Sequence, residues 1–153
     1  MTRVSFRDSA FCATRGLFKG ISSERNIKIQ LVIAVIIISV AILLEISKIY
    51  LITIIIVCFL VIILELFNRG FEKLIDLVSP EYNKEFGKVK DAMSGVVLLT
   101  FGMAVIVSFM ILYEPISKIS AKLIQHPLFL IFLIANLLLT LIVIFVEHKR
   151  KYK

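Results

Sequence analysis

Four stretches of this chain contain no charged residue: Ile29–Leu44, Ile49–Leu64, Ala92–Tyr113 and Pro127–Val146. Crossing the hydrocarbon core of a bilayer takes ~20 helical residues, with a range of roughly 17–25. The last two stretches meet that length directly. The first two hold 16 residues each, so each must borrow neighbours such as Ile27 or Phe67. Lys28 and Lys48 stand close enough to the ends to snorkel toward the headgroups. With 59% hydrophobic and 19% charged residues, the chain is too apolar for a soluble domain of its size. The pattern predicts an all-α membrane protein with four transmembrane helices, at about 27–44, 49–67, 92–113 and 127–146.

Ahead of the first span, residues 5–22 form an amphipathic pattern. Phe6, Ala10, Ala13, Leu17 and Ile21 share one helical face, and Asp8, Arg15, Lys19 and Ser22 lie roughly opposite. A helix of this kind lies in the headgroup region rather than across the bilayer. Gly16-x-x-x-Gly20 has the spacing of a helix-dimerisation motif but stands in basic surroundings, which weakens that reading. Ala92, Gly95 and Gly102 line one side of the third span and would allow close helix packing, within the chain or between subunits. Residues 1–113 read as one unit, and 114–153 as an outer loop, a fourth span and a basic tail. Pro80 and Gly87 mark the turns of the polar loop 78–88.

A net charge of +7 raises the question of nucleic acid, but the distribution answers it differently. With the N-terminus inside, 15 of the 18 basic residues fall on the cytoplasmic side, leaving Lys48, Lys118 and Lys122 outside. The positive-inside rule then puts both termini in the cytoplasm. No basic, aromatic-interleaved face is left for a nucleic acid. The first apolar run follows about 28 mixed residues and no cleavage site comes after it, unlike a secretory signal. Cys58 falls in mid-span, far from Cys12, so neither a disulfide framework nor a metal site is expected. His126 and His148 have no ligand-spaced partners and read as interface residues.

The polar residues that need explaining gather at one level. Directly after the second span comes ELFNRGFEKLID, residues 65–76. On a helix, at about 100° per residue, Glu72 and Asp76 fall within ~20° of Glu65, and Asn68 ~60° away. Glu24 approaches the first span, while Lys90, Asp91 and Ser94 open the third. All lie on the cytoplasmic side of the charge-derived topology. Two readings stand. In one the acids pair with Arg69, Lys73 or Lys88 and anchor a helix end; in the other they do chemistry. Hard divalent ions take oxygen ligands, and Mg²⁺ takes one or two protein carboxylates besides water and phosphate oxygens. A carboxylate stripped of some water at the hydrocarbon edge is a candidate general base. Metal, base and lysine at a membrane surface fit phosphoryl transfer to a lipid hydroxyl. The glycines form no Walker A loop and no dinucleotide fingerprint.

RGLFKGISSERN (15–26), ELFNRGFEKLID (65–76) and GKVKDAMSGVVLL (87–99) occur in this order. Together they resemble the small bacterial integral-membrane lipid kinases, the diacylglycerol and undecaprenol kinases, over about residues 5–113. The spacing of Arg15-Gly16 and Glu24-Arg25-Asn26 looks closer to the undecaprenol kinase branch. The resemblance implies a homotrimer of three-span subunits, each with an N-terminal surface helix, in the bacterial inner membrane. It implies ATP as co-substrate and Mg²⁺ as cofactor. By motif position Glu65 would be the base, with Asn68 orienting groups beside it, and Glu24 and Glu72 would hold the metal. Lys90 and Asp91 would contact the nucleotide, Asp76 would support the site, and Arg15 is a further candidate for a nucleotide or interfacial contact. The acceptor implied is a lipid alcohol, undecaprenol first and diacylglycerol second. A non-catalytic membrane protein that kept the fold is the alternative. One departure motivates it: Arg69 and Gly70 stand where the family has Thr or Ser, then Ala. The fourth span is extra to the usual pattern.

Overall fold

The computed structural model describes residues 5–81 and 83–118, with positions 131, 134–136, 138 and 142. The outer loop, most of the expected fourth span and the basic tail therefore lie outside the described residues. Four helices account for the rest: α1 (Phe6–Ser23), α2 (Arg25–Leu43), α3 (Lys48–Val78) and α4 (Lys84–Ser117). Among the described residues there is no strand. Helices α2, α3 and α4 are long and apolar enough to cross a membrane, and α1 is not. The chain is a membrane protein with an amphipathic helix ahead of its spans.

Two helices extend well past the expected spans. α3 has 31 residues, or ~46 Å at 1.5 Å per residue, against a hydrocarbon core of ~30 Å. Its last turns therefore run out of the apolar layer while remaining helical. α4 begins at Lys84 rather than near residue 92, because the Asn83 side chain caps it by accepting from the Glu85 backbone N–H at 2.9 Å. Gly87 is helical and marks no turn; the connection is confined to 79–83. At the other end α4 carries Pro115 inside its last turn and stops at Ser117.

α3 packs against both α2 and α4. Ile27, Ala34 and Ala41 recur every seven residues on α2 and are buried against Ile54, Cys58 and Ile62 of α3. The two alanines let the backbones approach closely, which is how helices associate in lipid. Val57 and Val61 of α3 meet Ala104 of α4 on the other side. Within the chain the small residues of α4 do not do this: a side chain added at Gly95 or Gly102 would meet open space, which leaves the contact between subunits as the remaining alternative. Gly16 is likewise open, whereas at Gly20 the nearest neighbour, Leu66 Cδ2 of α3, would lie 3.0 Å from an added Cβ. Gly20 thus seats α1 against α3. Phe6, Phe11, Leu17 and Phe18 of α1 remain exposed, as a helix lying on a bilayer requires.

The α2–α3 turn is a Schellman motif. Ile46 N–H donates to the Ala41 carbonyl at 3.4 Å, and Glu45 N–H to the Ile42 carbonyl at 3.0 Å. This puts Glu45 at φ 50°, the left-handed position that normally takes glycine. Glu45→Gly should therefore raise stability by roughly 0.5–1 kcal/mol. Denaturing-detergent titration of the micelle-bound protein would measure the shift.

Candidate functional site

The buried stripe of α3 does not end where the apolar sequence ends. Ile54, Cys58, Val61 and Ile62 continue into Glu65 and Asn68, each 3% exposed, and then Ile75. Spacings of three, four and seven residues keep them on one helix face. Glu65 is the one buried carboxylate among the described residues.

A single cation balances it. The Arg69 guanidinium donates from Nη1 to Glu72 Oε2 at 2.8 Å and from Nε to Glu65 Oε1 at 3.3 Å, and its Nε lies 3.5 Å from Glu24 Oε2. The first two contacts are local, since positions i+3 and i+4 share a helix surface. The third is tertiary. Glu24 is the one extended residue between α1 and α2, at φ −106° and ψ 122°, and the break turns its carboxylate toward α3. Lys73 Nζ stands 3.9 Å from Glu24 Oε1. Asn68 completes the group, its Nδ2 donating to Glu72 Oε1 at 3.4 Å while its Oδ1 is buried without a partner.

Glu65, Asn68, Arg69 and Glu72 border an open recess of about 280 Å³, just below the usual range for small-ligand sites. α3 supplies Glu65, Asn68, Arg69 and Glu72, and α4 supplies Ser94 and Phe101. α2 contributes Asn26 and Gln30, four residues apart and so on one face. Gln30 was missed in the sequence because it opens an otherwise apolar run; a lone amide there was the available signal. Gln30 and Phe101 also line an apolar cavity of about 50 Å³ that runs deeper between α2, α3 and α4, toward Ser108.

Of the sequence-derived site residues, Glu24, Glu65, Asn68 and Glu72 come together. Asp76 and Lys90 form a separate ion pair, bordering a second recess of about 320 Å³ with Ser79, Asn83 and Phe86. Asp91 is exposed beside Lys90 in the chain, and Arg15 is exposed on α1 and lines neither recess. The oxygen donors of the inner group suit a hard cation. Two carboxylates and an orphaned amide oxygen match the few protein ligands that Mg²⁺ takes when phosphates supply the rest. They are not a free-standing metal cage: among the described residues no three acidic, histidine or cysteine side chains are arranged to hold a metal. Arg69 is the resident cation.

Three membrane-length helices, with a buried carboxylate on the middle one beside a polar recess, make this a helical membrane protein with a polar site. The family model of the prokaryotic diacylglycerol kinases matches residues 11–112, and the chain belongs to that family. A curated diacylglycerol kinase from Synechocystis sp. is 34% identical over 117 residues, 76% of this chain. The chain spans 65% of the length of that relative. No solved structure matches it.

The outer pair is half-exposed to exposed, at 35% for Lys90 and 64% for Asp76. Pairs of this exposure contribute little. Lys90→Met should change unfolding stability by less than about 1 kcal/mol, so any large loss of function in that variant, measured beside its unfolding midpoint, belongs to ligand contact rather than folding.

Proposed function

We propose that this protein is an ATP- and Mg²⁺-dependent lipid kinase of the bacterial inner membrane, with both termini cytoplasmic and three subunits per enzyme. Its acceptor is a lipid alcohol, undecaprenol in the first place and diacylglycerol in the second. The observation that carries the reading is Glu65: a buried carboxylate directly after an apolar span, on the edge of a polar recess, in a chain of this family. The deeper apolar cavity next to the recess supports an acceptor that enters from the bilayer. The motif resemblance favours undecaprenol, and the name of the relative favours diacylglycerol.

In this reading the lipid hydroxyl enters beside Glu65, which takes its proton as the oxygen attacks the terminal phosphorus of ATP. The bond from that phosphorus to the bridging oxygen breaks, and ADP leaves. Asn68 orients the hydroxyl or a phosphate oxygen through its free carbonyl. Glu24 and Glu72 would hold Mg²⁺, whose chemistry is to neutralise charge on the phosphates. Lys90 and Asp91 contact the nucleotide at the outer recess, where Asp76 fixes Lys90, and Arg15 reaches the nucleotide or a neighbouring subunit. The open side of α4 at Gly95 and Gly102 suits a subunit contact.

The test is phosphate transfer by pure protein in bilayers, with ATP and each lipid alcohol supplied separately. Undecaprenol should be the better acceptor. If neither lipid is phosphorylated where an authentic kinase works, the reading fails. Glu65→Gln should lower turnover by at least ~100-fold, the scale of a lost general base, with nucleotide binding retained. A second reading, a protein that kept the fold without turnover, is favoured by Arg69 already satisfying three carboxylates. Replacing Arg69 and Gly70 by Thr and Ala discriminates: a gain in turnover above ~10-fold, or 1.4 kcal/mol of barrier, would mark the natural site as impaired.

A further inference from the structure

Arg69 stands among the groups that the kinase reading gives to the metal. Its guanidinium reaches Glu24, Glu65 and Glu72 at once, from two nitrogens. It is partly buried, with 28% of its side chain exposed. Three carboxylates drawn together repel unless a cation lies among them, and here the chain itself supplies it. A divalent ion that takes Glu24 and Glu72 must therefore displace the guanidinium. The buried Asn68 Oδ1, which has no partner beside them, is a further oxygen that Arg69 does not use.

We infer that Arg69 is an internal counter-cation that occupies the metal's place when no nucleotide is present, and that it yields that place only to metal and nucleotide arriving together. The inference rests on the lipid kinase reading. Displaced from Glu72, the guanidinium needs a new anion. Its planar fork matches phosphate oxygens as well as carboxylate oxygens. The recess it borders is the place where phosphates would enter. Free metal gives Arg69 no such anion, so metal alone must break its ion pairs without compensation. Metal with nucleotide exchanges carboxylate partners for phosphate partners at little net loss. Arg69 thus couples the two bindings and keeps the acid group from collecting metal uselessly.

The experiment is Mn²⁺ titration of the full-length protein in bilayer nanodiscs, with free Mn²⁺ read by electron paramagnetic resonance. It is run with and without a non-hydrolysable ATP analogue, on wild type, Arg69→Gln and Arg69→Lys. Removing the guanidinium frees the Glu24 and Glu72 carboxylates for the ion without ion pairs to break. Arg69→Gln should therefore bind Mn²⁺ alone at least ~10-fold more tightly than wild type, on the scale of 1.4 kcal/mol per decade. Its affinity gain on adding nucleotide should be correspondingly smaller. Arg69→Lys, whose compact ammonium cannot span three carboxylates, should lie between, and it serves alone should the Gln variant fail to fold. Equal Mn²⁺ affinities in wild type and both variants, with Mn²⁺–nucleotide still bound, overturn the role of Arg69 and leave the kinase reading standing. Absence of Mn²⁺–nucleotide binding in every protein overturns both.

Discussion

Burial of the Glu65 carboxylate is the constraint on which the arrangement depends. An uncompensated charge at that depth is expensive, and removal of one member of a buried pair typically costs several kcal/mol. The chain meets the cost with one guanidinium placed four residues further along the same helix. A lysine at position 69 would offer a point charge on a flexible stem. Arginine offers a rigid fork that serves Glu65 and Glu72 in one orientation. Because α3 runs on for several turns beyond the apolar layer, Glu72 and Arg69 are held by helix geometry rather than by a loop. The long helix is thus a part of the site.

Glu24 joins α3 by a different route, through the break between α1 and α2. With α1 laid along the membrane and α2 crossing it, the chain must turn sharply at residue 24, and an extended backbone there supplies the turn. Gly20 lets α1 approach Leu66, one residue after Glu65. The contact fixes the surface helix beside the acid group, so the angle between α1 and α2 also fixes the reach of Glu24. Local steric detail at one glycine thereby sets a tertiary ion pair about four residues away.

Periodicity made the helices legible, and the charge-free runs made their role in the membrane legible, because both are set by burial along a regular element. The acid group was legible as well: Glu65, Asn68 and Glu72 share a face by arithmetic alone. Helix ends were less so. α4 starts early because one asparagine caps it, a choice that hydropathy does not register. Which side of α4 packs inside the chain was not legible, for a related reason. Gly95 and Gly102 have the composition of a contact face, but which face of a helix meets its neighbour is set by tertiary packing, and here Ala104 and Ser108 take it. Glu45 in a left-handed turn carries no sequence signal, since glycine is the residue that would have announced it.

The ion-pairing reading of the acidic stripe is visible in the structure and leaves room for the chemical one. The expectation that these acids pair with Arg69 and Lys73 holds, while Lys88 turns instead to Glu85 on its own helix. The two kinds of pair differ in what surrounds them. Lys88–Glu85 and Lys118–Glu114 are more than 60% exposed on both sides, so water screens them and little depends on their geometry. At Arg69 one carboxylate is almost wholly buried, a neighbouring amide oxygen is unpaired, and a recess opens beside them. Surface ion pairs end a helix neatly and can be lost without consequence. A pair that holds a buried charge next to an unfilled polar space leaves the protein with a cation that any incoming metal or phosphate has to meet, and for that reason the departure at position 69 is the feature by which this chain differs in chemistry from the motif it otherwise follows.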